Sequence, residues 1–121
     1  VVLCERGIRT FETRVRNTLD LSAVAVLKSL TNLPVLVDPS HATGKRDYVR
    51  ALSRAAIACG ADGLVIESHC QPDKSVSDAA QAITPDTLKQ IVLDTAAIYQ
   101  ALNLRDQDKP VVSSCEPVVL R

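Results

Sequence analysis

The sequence predicts an α/β fold of parallel strands with intervening helices. Three short apolar runs, Val1-Val2-Leu3, Pro34-Val35-Leu36-Val37 and Gly63-Leu64-Val65-Ile66, are each followed by a polar loop and then by a segment with helical periodicity. The runs are apolar throughout rather than alternating, as expected of parallel strands covered on both faces. Parallel neighbours need a crossover between them, and each helical segment is long enough to supply one.

The first unit runs from Val1-Val2-Leu3 through Cys4-Glu5-Arg6-Gly7-Ile8-Arg9-Thr10 to a helical segment in which Ala23, Val26, Leu27 and Leu30 recur at i, i+3, i+4 and i+7. Asn17, Thr18 or Asp20 is available as its N-cap. The second unit passes from Val37 through the polar loop Asp38-Pro39-Ser40-His41-Ala42-Thr43-Gly44-Lys45 into Tyr48 to Cys59, with Val49, Leu52, Ala56 and Cys59 on one face and Gly60 as the stop. The third passes from Ile66 through a long loop, Ser68 to Ile83, into the clearest helix. There Thr84 is the N-cap and Pro85 the first helical residue, and Leu88, Ile91, Val92, Thr95, Ile98, Tyr99 and Leu102 share a face. Periodicity is lost after Asn103 and Pro110 and Pro117 follow, so residues 1–103 read as the folded part and 104–121 as an irregular tail, with Pro110-Val111-Val112 as a short extended piece. The chain contains no Met and opens inside a strand-like run, which reads as a segment of something longer.

Lys and Arg together number 14, as do Asp and Glu, so bulk electrostatic attraction to nucleic acid or to an acidic membrane has no basis. Any charge-driven binding must be local. The apolar runs are too short to span a bilayer and the N-terminus lacks a signal-peptide core, so a cytoplasmic protein is expected. The four cysteines, at positions 4, 59, 70 and 115, form no CxxC pair and are expected as thiols.

In α/β sheets ligands collect at the carboxyl ends of the strands, which points to the three post-strand loops. In the first, Arg6 beside Gly7 can present its planar fork to a phosphate or carboxylate; the plainer alternative is a solvated charged loop, and Arg14 and Arg16 read as the solvated approach to the helix. In the second, His41 near Asp38 suits a metal ligand or a general acid/base, or else a structural histidine with Asp38 capping the turn; Lys45 and Arg46 read as the wet first turn of the next helix. The third carries Glu67, Ser68, His69, Cys70, Asp73, Lys74, Asp78 and Gln81. Glu67 ends a strongly apolar strand, where a carboxylate needs a cation, several donors or an arginine partner. At most one of His69 and Cys70 can join it, since consecutive residues of an extended chain point oppositely. For Asp78 the plainer alternative is a helix-capping or solvated loop residue. Together His41, Glu67 and Asp78 make a nitrogen and oxygen set suited to a divalent transition metal, with Arg6 as an anion anchor beside it.

At these same positions the chain resembles the 3-deoxy-7-phosphoheptulonate synthases (DAHP synthases). The resemblance rests on Cys4-Glu5-Arg6-Gly7-Ile8-Arg9-Thr10-Phe11-Glu12, Arg16-Asn17-Thr18-Leu19-Asp20, Asp38-Pro39-Ser40-His41, Arg46-Asp47, Gly60-Ala61-Asp62-Gly63, Glu67-Ser68-His69 and Ser77-Asp78, and it extends from Val1 to about Leu102. It implies the last three βα units of a (β/α)8 TIM barrel. It also implies a metal-dependent condensation of phosphoenolpyruvate with erythrose 4-phosphate that opens the shikimate route to aromatic amino acids. On that likeness Arg6 binds the phosphoenolpyruvate phosphate. His41, Glu67 and Asp78 are metal ligands for Mn, Co, Fe or Zn, and His41 with Asp38 steers protons.

The family's fourth ligand, a cysteine, and its other phosphate-binding cations come from earlier barrel units, so Cys4 is not that ligand. Cys70 stands where relatives often have proline, and Ala79 where they often have glycine. The resemblance further implies a homo-oligomer in the complete enzyme, with no nucleic-acid or membrane partner. The 121 residues alone are expected to be an incomplete, inactive portion. Alternatives are a related synthase making 3-deoxy-octulosonate 8-phosphate or a sialic acid, or a catalytically silent structural fragment.

Overall fold

A computed structural model describes residues 1–106, with side chains described through residue 103. Three parallel strands, β1 (Leu3–Glu5), β2 (Val35–Val37) and β3 (Gly63–Leu64), form one sheet in sequence order. Leu3 pairs with Val35 and Glu5 with Val37, then Leu36 with Gly63 and Val37 with Leu64. Helix α1 (Leu21–Leu30) connects β1 to β2, and α2 (Pro39–Thr43) and α3 (Arg46–Ala58) connect β2 to β3. A 3-10 turn (Pro72–Lys74) interrupts the third loop before α4 (Pro85–Asp106). The expected α/β order of parallel strands and helices is present. Helix α4 continues three residues past Asn103, and the rest of the expected tail, including Pro110-Val111-Val112 and Cys115, lies outside the described residues.

The first strand sits later than the sequence suggests: Val1 and Val2 are exposed and the ladder begins at Leu3, whose N–H donates to Pro34 O at 2.9 Å. Burial is one-sided. Val35 and Val37 face α1 and α3 and are fully buried with Val24 and Ala56, beside the buried Ile57 and Ala61, packed by Leu3, Leu27, Leu64 and Ile98. The opposite face carries Cys4, Leu36 and Gly63, which are not buried, so among the described residues only one sheet face is covered. The uniformly apolar strands therefore present a second face with no layer over it.

Helix α1 is also turned relative to the expected stripe. Asp20 is the N-cap, accepting from the Ala23 N–H at 3.2 Å, but Val24 is the buried residue, flanked by Leu21 and Leu27, while Val26 and Leu30 are exposed. A helix this rich in small and branched apolar residues offers two overlapping stripes, and contact with the sheet selects one. Helix α3 buries Val49, Ser53, Ala56 and Ile57 and ends as foreseen at Gly60, in the left-handed region at φ 100, where the Ala61 N–H reaches Ala56 O and the Gly60 N–H reaches Ile57 O. Helix α4 starts at Thr84, whose Oγ1 accepts from the Thr87 N–H at 3.2 Å. It buries Ile91 and leaves Val92 and Tyr99 exposed, because Val49 and Ile83 engage the Leu88–Ile91 side of the helix. None of the described helices is long and apolar enough to cross a membrane.

Asp62 fixes the entry to the central strand. Its Oδ2 accepts from the Val35 N–H at 2.8 Å and both its oxygens accept from Lys28 Nζ of α1, also at 2.8 Å. The Lys28 hydrogen bond, then the Val35 amide, hold the Asp62 carboxyl below the usual aspartate range. A depressed folded-state value means the unfolded chain binds the proton more readily, so stability from this group is complete above the ordinary aspartate pKa and lost as pH falls through the lowered one. Asp62→Ala is expected to cost about 1 kcal/mol at neutral pH. In thermal melts across pH the deficit should shrink toward zero in acid; a constant deficit at all pH values would assign it to packing instead.

Candidate functional site

The pairing of β1 with β2 runs one residue past the strands, because the Asp38 N–H donates to Glu5 O at 2.8 Å. Asp38 then stops the strand and starts a helix, with Pro39 in its first turn. The stretch expected as a loop is thus the five-residue helix α2, ended by Gly44 in the left-handed conformation at φ 65. One helical turn is too short to leave a hydrophobic period, which is why the sequence pattern conceals it.

This helix turns the second loop into a rigid mount. The Asp38 side chain is only 1% exposed; Oδ1 accepts from the His41 N–H at 2.9 Å and Oδ2 lies 2.7 Å from His41 Nδ1. The other ring nitrogen, Nε2, lies 2.9 Å from Glu67 Oε1, and Glu67 Oε2 accepts from Gln81 Nε2 at 3.0 Å. Glu67 is itself pinned, its N–H donating to the buried Ser40 Oγ at 3.1 Å and its carbonyl accepting from the Ile83 N–H at 3.0 Å. A continuous line Asp38, His41, Glu67, Gln81 therefore joins the ends of β2 and β3. Glu67 is paired with this histidine and glutamine rather than with an arginine.

Asp78 completes the group: His41, Glu67 and Asp78 each offer a ligand atom, all within 4.8 Å of one another. Asp78 adopts φ 51, a left-handed conformation that aspartate tolerates better than most residues. Arg16 Nη1 stands 3.6 Å from its Oδ1. Arg6 reaches the same edge from β1, with Nε 3.7 Å from Asp38 Oδ2 and a side chain 63% exposed, which leaves most of its fork open to an anion.

The donor set fits a cation. If Nδ1 carries a proton toward Asp38, Nε2 turns a lone pair toward a carboxylate oxygen 2.9 Å away, so a proton or a metal ion must lie between them. Imidazole with two carboxylates suits a divalent transition metal. Metal bonds of about 2.0–2.2 Å set neighbouring ligand atoms about 3 Å apart, the spacing His41 and Glu67 already hold.

Of the residues expected at the site, His41, Glu67 and Asp78 come together, with Asp38 behind the histidine and Arg6 beside it. His69 and Cys70 do not join: His69 Nδ1 accepts from the Gln71 N–H at 3.0 Å, and Cys70 is an exposed thiol. Cys4 is a thiol whose pKa is pushed up by partial burial and then by the Asp38 carboxylate. Beside Glu67 a cavity of about 360 Å³ opens, lined by Ser68, His69, Ser75 and Ser77.

Two arginines do more than expected. Arg16 is exposed, as a solvated lead-in would be, yet it also lies against Gly44, where a Cβ would meet its Nε at 2.9 Å, and pairs with Asp78. Arg46 is no wet first turn: it donates to Ala79 O at 2.6 Å and Asp73 Oδ1 at 2.8 Å while its own N–H reaches Ala80 O. Both fix the third loop, and nothing in their local sequence marks partners tens of residues away. Gln81, a polar residue inside Ala80-Gln81-Ala82-Ile83, is fully buried, a placement the sequence pattern did not assign.

Comparison with known proteins finds a family and named relatives. The profile of the DAHP synthetase I family matches residues 1–101. Phospho-2-dehydro-3-deoxyheptonate aldolase of Thermotoga maritima is 49% identical over 105 residues, covering 87% of this chain and 31% of that protein. The crystal structure of a phospho-2-dehydro-3-deoxyheptonate aldolase (DAHP synthase) from the same organism superposes with a TM-score of 0.81 at 50% identity, over 84% of this chain and 30% of that one. A 2-dehydro-3-deoxyphosphooctonate aldolase of Desulfosudis oleivorans is 31% identical over 112 residues, covering 84% of this chain and 39% of that protein. The chain thus spans about a third of the length of these relatives.

The first loop depends on Gly7, at φ 96, where an added Cβ would meet Asn17 Cβ at 2.8 Å and Ala42 Cα at 3.1 Å. Gly7→Ala combines the left-handed cost with this clash and is expected to destabilise the protein by more than about 1 kcal/mol. Denaturant unfolding should show the loss; an unchanged midpoint would mean the loop relaxes freely.

Proposed function

The chain belongs to the DAHP synthetase I family, and on that footing we propose that the protein carrying it condenses phosphoenolpyruvate with erythrose 4-phosphate. The product is 3-deoxy-arabino-heptulosonate 7-phosphate, the first intermediate of the shikimate pathway. The observation that carries this reading is the convergence of His41, Glu67 and Asp78 at adjoining strand ends, with Arg6 alongside. Residues 1–103 correspond in this reading to the last three βα units of a (β/α)8 barrel. Three parallel strands in sequence order and an uncovered second sheet face support that assignment.

His41 Nε2, Glu67 and Asp78 would hold a divalent ion, one of Mn, Co, Fe or Zn. Bound there, the ion supplies Lewis-acid polarisation of an aldehyde oxygen. Asp38 accepts a hydrogen bond from the Nδ1–H of His41, which fixes the tautomer and directs Nε2 to the site. Arg6 binds the phosphoenolpyruvate phosphate through its exposed fork. The enol carbon of phosphoenolpyruvate bonds to the aldehyde carbon, water adds at the carbon bearing the phosphate ester, and phosphate leaves. With Nδ1 engaged by Asp38 and Nε2 given to the ion, the pair orients the imidazole; the proton steering that the resemblance implies for His41 and Asp38 would require Nε2 free of the ion. The resemblance also implies a cytoplasmic homo-oligomer.

A second reading, condensation with arabinose 5-phosphate, draws support from the 31% identity to a 2-dehydro-3-deoxyphosphooctonate aldolase. Full-length protein assayed with both sugars should release phosphate faster with erythrose 4-phosphate; preference for arabinose 5-phosphate would select the second reading. His41→Ala should abolish metal-dependent turnover, and retained turnover would remove His41 from the ligand set. The 121 residues alone, about a third of the relatives' length, are expected to show no condensation even with manganese. Phosphoenolpyruvate-dependent phosphate release by them would overturn that expectation.

A further inference from the structure

We propose that Gln81 is a positioning residue that fixes how Glu67 meets the metal, by holding Oε2 so that Oε1 alone is presented beside His41. The proposal rests on the metal reading above. Gln81 is fully buried, and its Nε2 donates to Glu67 Oε2 at 3.0 Å. Its own Oε1 is the buried side-chain atom without a hydrogen-bond partner among the described residues. A buried, unsatisfied carbonyl destabilises the fold, and an apolar side chain of the same length would avoid it. The amide cannot be flipped to relieve the orphan, because its oxygen would then face the Glu67 carboxylate. The contact that accounts for an amide at this position is therefore the one to Glu67.

The geometry around Glu67 sharpens the role. Its main chain is tied on both sides, to Ser40 Oγ and to the Ile83 N–H, so only its side-chain torsions are free. His41 stands against one carboxylate oxygen and Gln81 grips the other. With Oε2 occupied by a donor, Oε1 is left to bind, and a two-oxygen grip on the ion is disfavoured. The backbone of Gln81 is tied to the third ligand as well: its N–H and that of Ala82 donate to Asp78 O, at 3.0 and 3.2 Å, closing the turn in which Asp78 is left-handed. One residue thus anchors the carboxylate of Glu67 and the backbone turn of Asp78.

The test uses full-length protein, with binding of Mn²⁺ followed by loss of the free-ion electron paramagnetic resonance signal and thermal melts recorded without metal. Gln81→Met keeps length and removes the donor; Gln81→Asn keeps an amide but withdraws it by one methylene. Both are expected to weaken Mn²⁺ binding about 10- to 100-fold and to alter the bound-ion spectrum. The metal-free melting temperature of Gln81→Met should be unchanged or raised, because the orphan carbonyl is gone. If Gln81→Met does not fold, Gln81→Asn decides. Wild-type Mn²⁺ affinity and spectrum in a folded variant, alongside loss of binding in His41→Ala, would overturn the role of Gln81 while leaving the ligand set standing. Undiminished binding in His41→Ala would overturn the ligand set and this proposal with it.

Discussion

The site depends on one buried carboxylate. Asp38 closes the central strand, caps the helix that follows, and holds the imidazole of His41, all with a side chain 1% exposed. Burying a carboxylate is costly unless its lone pairs are met, and here the His41 N–H and Nδ1 meet them, with Arg6 nearby. The same requirement that keeps Asp38 satisfied therefore dictates the direction in which His41 points. Because the Asp38 N–H also donates to Glu5 O, the register of β1 against β2 and the orientation of His41 are set at one residue.

The third loop shows a second kind of constraint. It is long and has little regular structure, yet it must bring Asp78 back to the end of β3. Arg46 fastens it through Ala79, Ala80 and Asp73, and Arg16 draws Asp78 from the side of the first loop. These contacts tie the first and second βα connections to the third. They hold Asp78, a non-glycine residue, in a left-handed conformation. The loop therefore gains its shape from cations outside it, and the ligand it carries is placed by partners distant in sequence.

The sheet has a face that the described helices do not reach. Leu36 and Cys4 lie on it, although β2 is apolar on both sides. Exposed Val26, Leu30 and Tyr99 likewise leave parts of the helix layer without neighbours. A strand composition suited to burial on both faces is thus met on one face alone by the described residues.

The α/β order, the helix ends at Thr84 and Gly60, and the residues at the strand ends were legible in the chain, because they follow from local periodicity and from backbone groups within a few residues. The structure chose Asp20 among the three candidate caps of α1. Arg6, His41 and Glu67 were marked by their position, since a polar side chain beside the end of an apolar strand is costly there unless it meets a partner or a ligand. Asp78, deep in the third loop, carried no such mark and entered through ligand chemistry and the family resemblance. Folding was needed to show which stripe of α1 is buried, that Pro39 to Thr43 is a helix rather than a loop, and that Arg16, Arg46 and Gln81 serve the site. Gln81 meets Glu67 across 14 positions and Arg46 meets Ala79 across 33, and neither partner's neighbours encode the meeting. Local chemistry nominates the ligands, and long-range packing and hydrogen bonding fix the directions in which they point.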